Sequence, residues 1–447
     1  MAAWPYRDER LPRYTSYPTA PQFVPHIDAA SYAHWLGDLK PGLATSLYVH
    51  IPFCRSMCWY CGCHTTVALR DGPIEDYLRA LKAEIALVAA RSAAPLNVRH
   101  IHFGGGTPTI LEPSDLLRLM DWIRHHFAVA SDAEIAVEID PRRLSSAMVC
   151  ALAEAGVNRA SLGVQSFDAK VQAAINRVQT FEQTAQVVEE LHAAGITALS
   201  FDLIYGLPKQ TLASCLDTVD RCLPLQPNRF SVFGYAHVPQ FKKHQRRIAD
   251  TDLPGGADRH AQAEAIGERM TEAGYVRIGL DHFARPDDAM VRALSSGRLR
   301  RNFQGYTTDP SCALIGFGTS AIGRLPQGYV QNEVVLKHYA ERVMRGELPT
   351  AKGYLLSADD RLRAELIERL MCDLEVDVEA VCARHGMDAG SLAPALDRLD
   401  RLAQEGFVRI HGSRVRVPER GRLLVRKVAS VFDAYFSDSG CQYSRAV

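Results

Sequence analysis

The chain of 447 residues has no apolar run of the roughly 18 residues that a membrane-spanning helix needs, so a spanning helix is excluded and no membrane insertion is expected. Net charge is also missing: 51 Lys and Arg balance 51 Asp and Glu, and the pI is near 7.2. No global field draws the protein to nucleic acid or to a lipid surface. The opening MAAWPYRDERLPRY is too polar for a secretory signal, and the 11 cysteines are an odd number. Both point to a reducing, cytoplasmic compartment without a disulfide framework. Internal repeats and low-complexity tracts are absent. What remains is ordinary for a globular chain, with 47% hydrophobic and 23% charged residues, enough for one large domain and a smaller one.

Seven cysteines (Cys150, Cys215, Cys222, Cys312, Cys372, Cys382 and Cys441) are scattered and read as small core or surface thiols. The other four crowd into CRSMCWYCGC, directly after the apolar run LYVHIPF. Cys54, Cys58 and Cys61 stand in a C-x3-C-x2-C spacing. Three thiolates on one loop can hold three irons of a 4Fe–4S cubane and leave the fourth open to a substrate or cofactor. The same cluster allows a zinc site, with Cys63 and His64 completing a tetrahedron around Cys58 and Cys61.

From Thr45 onward short β-branched runs alternate with helical patterns. LYVHI (47–51), VRHIHF (98–103), EIAVEI (134–139), RASLGV (159–164), ALSFDLIYG (198–206) and RFSVFGY (229–235) read as strands covered on both faces. Helices are expected over 74–90, 113–127, 145–156, 181–195 and 212–223, several of them ending at glycine. Six strands with intervening helices predict an α/β fold, a partial (β/α)6 barrel, because the distinctive residues recur just after strand ends, where barrel sites are built. A doubly wound open sheet fits the same pattern.

Residues 1–44 lack this alternation and read as an N-terminal arm over the active site; residues 45–355 form the barrel and its extension. Residues 356–447 form a smaller, mostly helical domain with a hairpin turning at Gly412 and Ser413, similar to a winged helix. Over 409–427 it carries seven Lys or Arg against one acid, but 357–447 holds 14 basic and 15 acidic residues, so a packing domain is expected rather than a nucleic-acid module.

Gly104, Gly105, Gly106, Thr107 and Pro108 follow the second strand. Three glycines allow unusual φ values and close backbone approach to a ligand, although such turns also exist simply to turn. With the cysteine loop after the first strand, GGGTP resembles the radical S-adenosylmethionine (SAM) superfamily. CxxxCxxCxC, PRYTSYPT, EIDPR, GVQSFD, DLIYGLPKQT, YAHVP, DHFARPDD and RNFQGYTT together resemble the oxygen-independent coproporphyrinogen III oxidase family, across essentially the whole chain.

That resemblance implies a 4Fe–4S cluster on Cys54, Cys58 and Cys61, with SAM on the fourth iron and Cys63 as a non-ligating fourth cysteine. It implies a first SAM contacted by Tyr48, Gly105, Glu138, Ala236 and Ile322. A second SAM is contacted by Tyr60, Gly106, Thr107, Gln165, Arg177 and Asp202. The implied reaction is hydrogen abstraction by a 5′-deoxyadenosyl radical, then decarboxylation, converting the ring A and B propionates of coproporphyrinogen III into the vinyls of protoporphyrinogen IX. A low-potential electron donor such as flavodoxin or ferredoxin and a monomeric state go with it. Substrate propionates call for cations and donors at the mouth, and Arg13, Tyr14, Tyr17, His282, Arg285 and Arg301 are the candidates. Each choice has a plainer reading: strand-end Glu138 and Asp202 as helix caps, Arg177 as surface charge, Gln165 as a turn former, Tyr60, Ala236 and Ile322 as packing. A related haem-binding chaperone shares the three-cysteine loop. It typically lacks the fourth cysteine and the PRYTSYPT arm, both present here. His64 stands where the family commonly has asparagine.

Overall fold

The computed structural model describes residues 9–436 and 444–445; the first eight residues of the arm, Cys441 and Tyr443 lie outside them. β1 (Ala44–Ile51) leads through the cysteine loop to α1 (Gly72–Arg91). The alternation continues with β2 (Asn97–Gly105), α2 (Pro113–His126), β3 (Ala128–Ile139), α3 (Ser146–Glu154) and β4 (Arg159–Gln165). It ends with α4 (Phe181–Ala193), β5 (Ala198–Tyr205), α5 (Leu212–Cys222) and β6 (Arg229–Gly234). β1 to β6 pair in parallel and in sequence order, so all their C-terminal ends open on one rim.

Local sequence starts the helices where expected. Thr180 and Gln183 form a reciprocal capping box at α4, and Thr211 and Ser214 do the same at α5. The helices bury one stripe against the outer face of the strands. Leu78, Leu81, Ile85 and Val88 of α1 are nearly inaccessible, and each such side chain contributes on the order of 1.5–3 kcal/mol of transfer free energy, as an upper bound. The expectation of strands covered on both faces needs correction in β4 and β5. There the buried outer residues (Ala160, Leu162, Val164; Leu199, Phe201, Leu203) alternate with half-buried Ser161, Gly163, Gln165, Ser200, Asp202 and Ile204. That second face looks into a cavity, so polar and small residues are tolerated on it.

The sheet is also larger than six strands. α6 (Gly256–Glu272) is followed by β7 (Val276–Ile278) and β8 (His282–Ala284), which run antiparallel at the β6 edge. β9 (Ala313–Phe317) lies parallel beside β1, and β10 (Ile322–Arg324), β11 (Gly328–Asn332) and β12 (Thr350–Leu355) extend from it, giving the order β7-β8-β6-β5-β4-β3-β2-β1-β9-β10-β11-β12. The twelve-stranded sheet stays open at both ends. The added strands are only three to six residues long, too short to show a period in the sequence.

α7 (Leu336–Met344) lies between β11 and β12, and α8 (Ala358–Asp373) opens the C-terminal region. Arg409–His411 and Arg414–Arg416 form the expected hairpin, with Gly412 at φ +60°, and Glu375–Asp377 adds a third strand. This region has its own apolar core around Leu366, Leu370, Leu399, Val415 and Phe432, into which Tyr14 and Tyr17 of the arm insert.

Candidate functional site

A cavity of about 620 Å³ opens on the rim at the C-terminal ends of β1 to β6. Its wall brings together Arg13, Cys54, Cys58, Tyr60, Cys61, Cys63, Gly105, Gly106, Thr107, Glu138, Gln165, Arg177, Asp202 and Ala236, residues that sequence reasoning drew from eight separate stretches.

The cysteine loop is fixed from both sides. Gly106 N–H donates to Ile51 O at 2.8 Å and Thr107 N–H to Phe53 O at 2.9 Å, which fastens the GGGT segment to the start of the loop. A Cβ at Gly106 would stand 2.5 Å from Phe53 O, and Gly105 sits at φ +114°, so neither position accepts a side chain without displacing the backbone. On the other side Trp59 N–H donates to Ile175 O at 2.9 Å and Asn176 Nδ2 to Met57 O at 2.8 Å. Asn176 was not anticipated. Its φ of +55° is the one available signal, and that is invisible in a sequence.

Every thiol of the triad faces a donor. The Thr65 and Thr107 hydroxyls each lie 3.4 Å from Cys54 Sγ, and Arg142 Nη2 and Arg177 Nη1 lie 3.5 and 3.6 Å from Cys58 Sγ. Cys63 donates to Cys61, which lowers the Cys61 thiol to about 7 against the opposing effect of burial. Cys63 thus stands within hydrogen-bond reach of the Cys61 thiol. His64 enters through its backbone: its carbonyl accepts from His50 Nε2 at 2.9 Å, while Tyr48 OH donates to His50 Nδ1 at 3.0 Å. Among the described residues no three His, Cys, Asp or Glu side chains converge closely enough to hold one metal ion. A tetrahedral zinc needs such convergence, whereas a cubane spreads its thiolates over separate irons.

The far wall is polar and incompletely satisfied. Glu138 accepts from Gly105 N at 3.1 Å and from His102 Nε2 at 3.2 Å. Asp202 accepts from Ser161 Oγ at 2.8 Å, and burial pushes its carboxyl up to about 6. Arg177 donates to Gly163 O at 2.6 Å and pairs with Asp140, whose Oδ2 also takes Arg142 Nη2 at 2.7 Å. Asp140 is the middle residue of the EIDPR motif yet was not singled out; only the fold shows that it joins Arg142 to the distant Arg177. Gln165 Oε1 and Arg177 Nε are buried without a hydrogen-bond partner. Gln165 is held at φ +67° beside a register shift in β4, a strained backbone that turns the side chain to the cavity wall. Unspent polar atoms on such a wall fit a polar ligand such as SAM. Gln245, also unforeseen, ties Tyr60 O at 3.0 Å to Ala236 O at 3.2 Å.

Several sequence candidates lie elsewhere. Tyr48 sits just behind the wall, its ring stacked on His102 at 5.9 Å. Ile322 is on β10, paired with Gln331, and does not line the cavity. Tyr14 donates to Asp433 Oδ2 at 3.1 Å and Tyr17 OH accepts from Ala434 N at 3.0 Å, so both anchor the arm in the C-terminal core rather than face the mouth. Arg285 is corrected outright: β8 runs antiparallel to β6, with Ala284 opposite Arg229, which carries Arg285 to the N-terminal end of the sheet, away from the rim. Arg13 and Arg301 meet in a smaller pocket of about 40 Å³ that also includes Asp281, Arg259 and Arg426. His282 hydrogen-bonds Asp281 Oδ1 at 2.8 Å, which together with Arg301 keeps that carboxyl down at about 2 despite burial.

Comparison with known proteins agrees with this geometry. The radical SAM superfamily model matches residues 48–222, and the HemN C-terminal domain model matches residues 356–424. The chain is 59% identical to an oxygen-independent coproporphyrinogen III oxidase of Bradyrhizobium diazoefficiens, over 99% of this chain and 98% of the relative. It is 43% identical to the protein of the same description from Paracoccus denitrificans, over 96% and 95%. Among solved structures it is similar to the coproporphyrinogen III oxidase (HemN) of Escherichia coli, described as a radical SAM enzyme. The TM-score is 0.91 at 38% identity, covering 95% of this chain and 98% of that one.

Proposed function

The chain belongs to the oxygen-independent coproporphyrinogen III oxidases of the radical SAM superfamily, and on that premise we propose that it converts coproporphyrinogen III to protoporphyrinogen IX by anaerobic oxidative decarboxylation of the ring A and B propionates. The observation that carries this reading is the single cavity in which three donor-flanked thiols meet a glycine segment, the carboxylates of Glu138 and Asp202 and unspent polar atoms. When bound, a 4Fe–4S cluster and SAM supply reductive cleavage to a 5′-deoxyadenosyl radical able to take hydrogen from a propionate β-carbon.

The chain's own residues divide the remaining work. Cys54, Cys58 and Cys61 hold the cluster, and Thr65, Thr107, Arg142, Arg177 and Cys63 offset thiolate charge, which favours the reduced state. Glu138, Gly105 and Ala236 hold SAM at the cluster, with Tyr48 packed behind Glu138. Tyr60, Gly106, Thr107, Gln165, Arg177 and Asp202 hold a second SAM. Gln165 Oε1 is an acceptor waiting for a donor, and Asp202 suits a ribose hydroxyl. Arg13 and Arg301 receive propionates that are not being decarboxylated. Arg301 Nε and Nη1 are buried without a hydrogen bond, and Asp281 Oδ1 stands 3.9 Å from Nη1. His282 acts behind them by orienting Asp281.

The reading brings with it a low-potential one-electron donor, a monomeric protein and a cytoplasmic location. Among the described residues no helix is long and apolar enough to cross a membrane. The deciding experiment is an anaerobic assay with coproporphyrinogen III, SAM and reductant on protein carrying about four irons and four sulfides per chain. CO2 release with vinyl product is expected; a loaded cluster that yields neither overturns the proposal.

A further inference from the structure

The segment Phe241–Arg247 reads FKKHQRR, with four Lys or Arg and no acid, in a chain whose net charge is zero. It is fastened directly onto the cysteine loop. Lys242 Nζ donates to Cys63 O at 2.9 Å, His244 Nε2 to Cys61 O at 2.8 Å and Gln245 Nε2 to Tyr60 O at 3.0 Å. The Arg247 guanidinium lies 5.6 Å from the Trp59 ring centroid. The other face is open: Phe241 is 60% exposed, and Lys243, Arg246 and Arg247 are exposed. None of these three cations makes an ion pair among the described residues. The acids that follow are already engaged, Asp250 by His237 at 2.9 Å and Asp252 by Lys209 at 3.9 Å.

Two plainer readings fit less well. A solvated loop has no need of three hydrogen bonds to the backbone of the cysteine loop. A substrate-steering strip would line the cavity, and of these cations only Lys242 does. The open face therefore combines uncompensated positive charge, an exposed aromatic ring and direct contact with the loop that carries Cys61.

We propose that the outer face of Phe241–Arg247 is the docking surface for an acidic one-electron carrier protein that reduces the cluster. The inference rests on the cluster assignment above. The carrier gives up one electron, the cluster gains it, and no proton or bond changes hands. Carboxylates of the carrier meet Lys243, Arg246 and Arg247, and Phe241 supplies apolar contact. Such charge complementarity acts mainly on the association rate and weakens with salt. Docking here leaves one layer of side chains, Lys242 and His244, between the carrier and the Cys61 backbone.

The test follows cluster bleaching after anaerobic mixing, without coproporphyrinogen III, so that it stands apart from the oxidase reading. Photoreduced flavodoxin serves as the acidic donor and reduced methyl viologen as a small cationic one. For Lys243→Glu combined with Arg246→Glu, at unchanged iron and sulfide content, the second-order rate with flavodoxin should fall about tenfold or more and lose its salt dependence. The rate with methyl viologen should stay within about twofold or rise. The milder Lys243→Gln with Arg246→Gln should give a smaller fall in the same sense, and Phe241→Ala a fall that salt does not change. An unchanged flavodoxin rate overturns the proposal, as does an equal loss with both donors. A raised KM for coproporphyrinogen III with normal flavodoxin reduction also overturns it, by assigning the segment to the substrate.

Discussion

The Glu138 carboxylate, at the end of β3, accepts the Gly105 amide at the end of β2, with Oε2 3.1 Å from the nitrogen. That one bond changes the meaning of the glycine triplet. Read alone, GGGTP offers free amides to a ligand. In the fold the Gly105 N–H is committed to Glu138, while Gly106 and Thr107 donate to the carbonyls of Ile51 and Phe53. The glycines are there because strand, carboxylate and cysteine loop approach too closely for any Cβ.

Gly106→Ala therefore tests the loop and not only the ligand. Its Cβ meets Phe53 O at 2.5 Å and Phe53 N and C at 2.8 Å, all backbone atoms that cannot swing aside. A stability loss of about 1–3 kcal/mol is expected, together with reduced iron incorporation, read by chemical denaturation and by iron analysis.

Cys61→Ala and Cys63→Ala should separate cleanly. Cys61→Ala should drop iron well below the roughly four per chain of a full cluster. Cys63→Ala should keep the iron but lower the cluster's reduction potential, because a donor to the Cys61 sulfur is lost. Potentiometry with EPR distinguishes the two outcomes. Equal iron loss in both variants would make Cys63 a ligand.

Glu84 of α1 predicts a pH dependence of stability. Burial pushes its carboxyl up to about 7, against hydrogen bonds from Tyr339 OH at 2.6 Å, Gly318 N at 2.7 Å and Asn332 Nδ2 at 2.6 Å. Between the ordinary value of 4.5 and about 7 the folded protein keeps a proton that the unfolded chain has released. Its contribution is full below pH 4.5 and is lost as pH rises through 7, by on the order of 3 kcal/mol. Urea unfolding from pH 4.5 to 8 should show that decline in the native chain and a flatter curve in Glu84→Gln.

Arg285→Ala and Arg301→Ala should differ in substrate kinetics. Arg285 lies at the N-terminal end of the sheet, and its substitution should leave the KM for coproporphyrinogen III within about twofold. Arg301, buried beside Arg13 with two unspent nitrogens, should raise KM about tenfold or more when truncated, as expected for a lost charge-assisted contact. Steady-state assays under anaerobic conditions measure both.

The sequence by itself determined the α/β alternation, the position of the cysteine loop and the family, because these rest on local periodicity, on spacing and on long motifs in order. It also singled out about half of the cavity wall, since residues towards the C-terminal ends of strands share a rim whenever the strands are parallel and consecutive. Tertiary structure alone decided the rest. The face each residue presents depends on register, which turns Gln165 to the wall through a bulge and carries Arg285 to the wrong end through an antiparallel strand. The decisive partners are non-local: Arg177 on Asp140, Gln245 on Tyr60, and Tyr14 and Tyr17 drawn into the C-terminal core. Such pairings are set by packing between elements far apart in the chain, and no window of sequence contains them.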